Sequence, residues 1–257
     1  MTFFILFNVF IIFPIIIYGL ALRWINRESF KNVSQSSAKW FYKLTAYIGI
    51  PIHEFCHFIM AFLFGTTIME IVWYDPNWTD EDEDSIGHVS YAANPDSLLH
   101  HIGHFFIGIA PMIGGCVIIY FLMRFILPNT YNSLCYLELK NFNGIQILTD
   151  FFNCINNNIM LIFSNSDGII RTLIFFIFAF SICIYMDVSL EDIKIAKKGL
   201  VMVEIFLFIL SIFLFIYKYT IFIDFIFVIA SVLYFLLTLG IIFSLISFLI
   251  SFVVRLL

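Results

Sequence analysis

Leu44-Thr45-Ala46-Tyr47-Ile48-Gly49-Ile50-Pro51-Ile52-His53-Glu54-Phe55-Cys56-His57-Phe58-Ile59-Met60-Ala61-Phe62-Leu63-Phe64 is an apolar run broken by one tight cluster of ionisable side chains. In a helix, about 20 such residues cover the roughly 30 Å hydrocarbon core of a bilayer. His, Glu and His cost free energy at that depth, so their presence points to chemistry and not to packing. The spacing supplies a mechanism. Residues four apart share a helix face, so His53 and His57 can point at one metal ion. Glu54, rotated by about 100°, can hold the water that such an ion activates. With 6 His in 257 residues, a His-Glu-x-x-His pattern arises by chance in on the order of one in two hundred chains of this composition. A coincidental buried polar cluster would also be energetically expensive.

Outward from that run the chain stays apolar. It is 62% hydrophobic and 12% charged, with mean hydropathy +1.01, which excludes a water-soluble domain and makes the lipid bilayer its surroundings. Further apolar stretches cover residues 3–22, 102–127, 200–217 and 221–254, and a shorter, borderline one covers 169–186. The expected fold is an all-α multispan membrane protein of about five to six transmembrane helices in a single domain, residues 1–257. The first stretch has no Lys or Arg before it and no small-residue cleavage site after it, so it reads as a retained anchor. Arg23, Arg27, Lys31, Lys39 and Lys43 follow it, which places residues 23–43 in the cytoplasm and the N-terminus outside. Neither a P-loop, a dinucleotide fingerprint nor a basic patch is present, so nucleic acid is not an expected partner. The five cysteines, Cys56, Cys116, Cys135, Cys154 and Cys183, form no CxxC pair and read as packing residues.

Between the second and third apolar stretches, residues 68–74 and 86–91 are β-rich and flank a polar turn, which predicts a small hairpin. The run Asp80-Glu81-Asp82-Glu83-Asp84 lacks the glycine and ligand spacing of a calcium loop and reads as a solvated tip. His88 lies in the second of these segments. His100, His101 and His104 open the third stretch at helical spacing, and either a second metal site or a polar helix start fits them. Ala110-Pro111 and Gly114-Gly115 break that stretch and suit close packing of a neighbouring helix, for which the helix of the pentapeptide is the candidate. Residues 128–168, with Asn153, Asn156, Asn157 and Asn158, look interfacial or cytosolic.

A catalytic zinc ion takes three protein ligands and leaves one position for water, so two His are insufficient. Three carboxylates flank the borderline segment: Asp167, Asp187 and Asp192. Each has a structural alternative, since Asp167 could cap the following helix and Ser189 with Asp192 resembles a capping box. Charge bias ranks them. If every segment crossed, Lys194, Lys197 and Lys198 would lie outside; if residues 169–186 enter and return, these lysines become cytoplasmic. Asp192 then arrives on the side from which the pentapeptide helix starts, and ranks first as the third ligand. Asp167 ranks second.

These features together resemble the site-2 protease class of intramembrane zinc metalloproteases. The likeness rests on the pentapeptide from His53 to His57, the hairpin, the Ala110-Pro111 break and an Asp near a later helix start. It covers roughly residues 44–200, leaving the last spans, 200–254, outside it. More narrowly, the runs from Phe105 to Pro111 and from Ser189 to Lys194 look like those of small bacterial membrane proteins assigned to that class. Departures are Cys56, where a small residue is common, Ile193 after Asp192, where the class has Gly, and Tyr185, where the narrower group often has His. The resemblance implies a Zn2+ ion on His53, His57 and Asp192, with Glu54 as the catalytic base. It implies cleavage of a membrane protein or peptide in or beside its transmembrane segment, in a bacterial cell membrane; charge bias and the borderline segment place the opening of the site on the cytoplasmic side. Maturation or clearance of a small secreted peptide, and a non-catalytic scaffold or immunity protein with a structural metal, are the competing expectations.

Overall fold

The computed structural model describes residues 2–34, 39–76, 86–137, 144–164, 166–216 and 221–256. The chain begins with helix α1 (Thr2–Phe7), a π-helical turn (Asn8–Ile12) and α2 (Phe13–Ser34). The helical backbone is continuous through the three, and Phe3–Val33 is long and apolar enough to cross a membrane. Helix α3 (Lys39–Leu63) carries the pentapeptide and holds Pro51 in its interior. It stops because Gly65 turns left-handed, with φ +70°. The amide of Gly65 donates to the Phe62 carbonyl and that of Thr66 to the Ala61 carbonyl, at 3.0 and 3.1 Å, the paired bonds of a Schellman stop.

The chain then forms strand β1 (Thr67–Val72) and, beyond the polar turn, β2 (His88–Ala92). The strands pair antiparallel with Ile71 opposite Val89 and an irregularity between Ile68 and Glu70. The acidic run from Asp80 to Asp84 lies outside the described residues. The hairpin doubles back along α3 and does not extend beyond its end. Trp73 packs on Phe55 and Phe58, Tyr74 meets Tyr47 edge to face, and Ile86 joins Ala46 and Ile50 in a small core.

Helices α4 (Leu98–Gly108) and α5 (Ala110–Ile126) meet at a bend of 62°. Ile109 sits at the corner, and Pro111, which lacks an N–H, falls in the first turn of α5, where that donor is not needed. After the short α6 (Pro128–Asn132) come α7 (Gly144–Phe163), α8 (Ile169–Ile184), α9 (Leu190–Ile216) and α10 (Ile221–Leu256). Helix α7 occupies the stretch that reads as interfacial. It buries Ile147, Phe151, Cys154, Asn158 and Ile162 along one face and leaves Asn153, Asn156 and Asn157 exposed, as expected of an amphipathic helix.

Among the described residues, four helices are long and apolar enough to cross a membrane, or five if the bent α4–α5 pair is one span. Helix α8 has 16 residues and covers only about 24 Å, short of a bilayer. The long α10 runs through the middle of the bundle, against α2, α7 and α8. Its apolar stretch is 56% buried, against 28% for those of Phe3–Val33 and Leu190–Ile216 and 39% for that of Tyr42–Leu63, so it is the most internal of the four. Polar groups fix its register on α2: Tyr18 Oη and Thr238 Oγ1 lie 2.9 Å apart, Asn32 donates to Ser251, and Arg255 donates to Asn32 at 3.0 Å. In an apolar medium such bonds and close small-residue contacts, not the hydrophobic effect, hold helices together. All five cysteines are unpaired, and four of them are buried.

Candidate metal centre

His53 and His57 lie on one face of α3, as the four-residue spacing requires. Their Nε2 atoms are 3.1 Å apart. Asp192, in the first turn of α9, faces both: Oδ1 is 3.3 Å from His57 Nε2 and Oδ2 is 3.9 Å from His53 Nε2. Among the described residues this is the group of His, Cys, Asp or Glu donors close enough to hold a metal ion. A tetrahedral zinc with bonds of about 2.0–2.1 Å sets its donors about 3.3 Å apart; the 3.1 and 3.3 Å separations about His57 match that spacing, and the 3.9 Å between His53 and Asp192 is wider than it.

The other ring nitrogens explain why the lone pairs converge. His53 Nδ1 is 2.7 Å from the Tyr185 carbonyl oxygen and His57 Nδ1 is 2.9 Å from that of Ile107. A carbonyl only accepts, so each Nδ1 donates, and in that tautomer the Nε2 lone pairs are the ones directed to the common point. Two lone pairs and a carboxylate aimed together repel unless a cation joins them. Backbone carbonyls bound to the distal nitrogens are the usual outer support of metal-ligating histidines.

Four elements hold the arrangement. Helix α4 brings the Ile107 carbonyl to His57, and Gly108 next to it lets the α9 backbone at Asp192 and Ala196 come so close that a side chain would collide. The end of α8 brings the Tyr185 carbonyl to His53, while the Tyr185 hydroxyl donates to the Tyr42 carbonyl at 3.1 Å. Helix α5 lies against the pentapeptide through Gly114, whose missing side chain leaves room for the Cys56 thiol. Asp192 is itself fixed by a capping box. Its Oδ2 accepts from the Ser189 amide at 2.8 Å, and the Ser189 hydroxyl accepts from the Asp192 amide at 3.0 Å. Capping and proximity to the histidines, alternatives in the sequence, coexist because the two carboxylate oxygens divide the tasks.

Glu54 is 6% exposed and lines a cavity of about 380 Å3 together with His53, His57 and Asp192. It makes no hydrogen bond or ion pair among the described residues. A buried carboxylate without a partner is costly, which suits a group reserved for water or a substrate. The cavity wall includes residues 86–89 and Tyr91 of the hairpin, Arg23, Asn26 and Arg27 of α2, and Asp187.

The remaining candidates lie apart from the histidine pair. Asp167 does not cap the helix that follows it. It accepts from the Asn129 and Thr130 amides, both at 2.9 Å, and so clamps the start of α8 to the N-terminus of α6. Asp187 accepts from Asn26 Nδ2 at 3.1 Å and lines the cavity without joining the group. His88 is 3.6 Å from Glu70 across the hairpin. His100 accepts from the Asn94 amide, His101 lies against the Pro95 carbonyl, and His104 against the Tyr91 hydroxyl. Each of the three thus has a separate polar partner, and they form no second metal group among the described residues. Sequence reasoning missed the carbonyls of Ile107 and Tyr185, which no side-chain pattern reveals. It also read Arg23 and Arg27 as topology signals alone, although their four-residue spacing puts them on one face.

Compared with protein-family models, curated proteins and solved structures, the chain matches none.

Proposed function

We propose that the protein is an intramembrane zinc metalloprotease, similar to the site-2 protease class, that hydrolyses a peptide bond in or beside a transmembrane segment. The observation that carries this reading is Glu54, buried and unpartnered, on the wall of the cavity that His53, His57 and Asp192 share. In this reading those three residues hold Zn2+. When bound, the ion supplies a water acidified to a pKa of about 7 and a Lewis acid for the scissile carbonyl. A Glu54 carboxylate oxygen takes the proton of the attacking water and returns it to the leaving amine. Ile107 and Tyr185 fix the tautomer and orientation of the two imidazoles through their carbonyls. Ser189 holds the Asp192 carboxylate in place.

A helical substrate hides its peptide bonds and has to unwind before it can be cut. Strand β2 pairs with β1 on one side only, and its residues His88, Val89 and Tyr91 line the cavity, which supports binding of an extended segment along the strand's unpaired edge. Residues 23–43 face the cytoplasm of a bacterial cell, the N-terminus lies outside, α8 enters and returns on the cytoplasmic side, and the cavity opens to that side. The lysines after Asp187 and the shortness of α8 support this arrangement.

The test compares the wild type and Glu54→Gln by mass spectrometry of membrane peptides from cells producing each. Intact precursors should accumulate with the variant, and the purified wild type should cut them at one position. Identical peptide inventories, with no cleavage of any enriched peptide in vitro, would exclude proteolysis.

A further inference from the structure

The charges that line the cavity can be assigned one by one. Asp192 faces His53 and His57. Asp187 accepts from Asn26 and feels the positive charge of Arg23. Glu191 is 3.9 Å from Lys194. Arg23 donates to the Val188 carbonyl at 2.8 Å, which anchors it to the loop before α9. Two charged groups on the wall are left with no hydrogen bond or ion pair among the described residues: Glu54, which the proposed chemistry uses, and Arg27.

Arg27 is not simply a basic residue at the end of a span. Arg23, Asn26, Arg27 and Phe30 follow one another at i, i+3, i+4 and i+7 and all line the cavity, so one face of α2 is turned into the cleft. The next basic residue, Lys31, is off that wall and is paired with Glu28 at 2.6 Å. An arginine serving only orientation has no need of this face. A guanidinium in a cleft, with its donors free and planar, is the group that best recognises a carboxylate, through two parallel hydrogen bonds.

We propose that Arg27 is a specificity-determining residue and that the substrate is a peptide segment presenting a carboxylate to it close to the bond that is cut. This rests on the proteolytic reading above. The carboxylate can come from an Asp or Glu side chain or from the free C-terminus of a short peptide, and both have the same chemistry.

The probes are dye-labelled ten-residue peptides of Ala, Leu and Gly, tested with the full-length protein in detergent and in neutral-lipid vesicles. One series carries a single Asp, or Asn in its place, at successive positions with an amidated end; a second has neutral side chains and a free or amidated end. Binding is measured on Glu54→Gln, which does not turn the peptide over, and cleavage on the wild type. The carboxylate form, internal or terminal, should bind about tenfold more tightly than its neutral counterpart. Arg27→Gln should remove that preference through KM with kcat kept. Arg27→Glu should prefer the same peptide with Lys in place of Asp, a reversal that a merely structural role would not produce. Unaltered thermal melting of both variants shows that the fold is intact. Equal binding of carboxylate and neutral peptides, or a preference that survives Arg27→Gln, would overturn the assignment even if cleavage is observed. Activity that depends on phosphatidylglycerol and loses this dependence in Arg27→Gln, with no peptide preference, would assign Arg27 to the lipid surface and equally overturn it. Absence of Glu54-dependent cleavage with carboxylate-selective binding intact would instead fault the proteolytic reading and leave the Arg27 site standing.

Discussion

At the scale of single residues, the candidate metal centre rests on a few groups that each do more than one job. Asp192 closes a capping box with one oxygen and faces His57 with the other. Its truncation should therefore reduce zinc affinity on the order of a hundredfold or more, beyond the usual effect of losing an outer partner. Asp167→Ala and Asp187→Ala should leave zinc content near the wild-type level, because neither carboxylate joins the group. Metal analysis of the three purified variants distinguishes them, and unchanged zinc in Asp192→Ala would remove it from the ligand set. The histidine pair was legible in the sequence because helical periodicity alone brings residues four apart together. Asp192 was legible only as one of three, since capping and ligation leave the same residue type at a helix start. The carbonyls of Ile107 and Tyr185 were not legible at all: they belong to the backbone of other elements, and only tertiary packing brings them to the imidazoles.

At the scale of elements, close helix contacts position the site. Gly108 on α4 accommodates the backbone of α9 beside Asp192. A methyl group there has to push α9 away, at a cost of about 1–3 kcal/mol, and take Asp192 with it. Gly108→Ala should lower zinc affinity about tenfold to a hundredfold with every ligand still present, as titration with a competing chelator would record. Farther away, Asp167 ties α8 to α6. Burial would raise its pKa, but the amides of Thr130 and Asn129 and the Thr130 hydroxyl outweigh this and hold the carboxyl below its ordinary value. A depressed folded pKa adds stability above the unfolded value of about 3.9, and this is lost as pH falls through the folded one. Asp167→Asn should thus be about 1 kcal/mol less stable at about pH 6, with the gap closing in acid. A gap independent of pH would refute the charged clamp. The bend at Ile109 was foreshadowed by Ala110-Pro111. The helix over residues 144–163 was less legible, because its polar stripe resembles a loop until the buried positions are seen to repeat at helical spacing.

At the scale of the whole molecule, apolar stretches read off the sequence mark helices long enough to cross a bilayer, while the path of the hairpin back along α3 depends on aromatic contacts that no local pattern encodes. The proposed orientation predicts opposite sides for two connections. With the native cysteines replaced, Asp96→Cys should react with an impermeant thiol reagent from outside intact cells, and Ser133→Cys only after permeabilisation. Equal labelling of both would refute the crossing of the α4–α5 pair. The proposed chemistry needs both a metal site and a base, and the Glu54→Gln protein tests both at once. Zinc content and cleavage of an identified substrate are measured on one purified sample. A full complement of zinc, equal to wild type, is expected with cleavage abolished, because in the proposed chemistry Glu54 handles the proton and does not hold the metal. Wild-type cleavage by this variant would contradict the account.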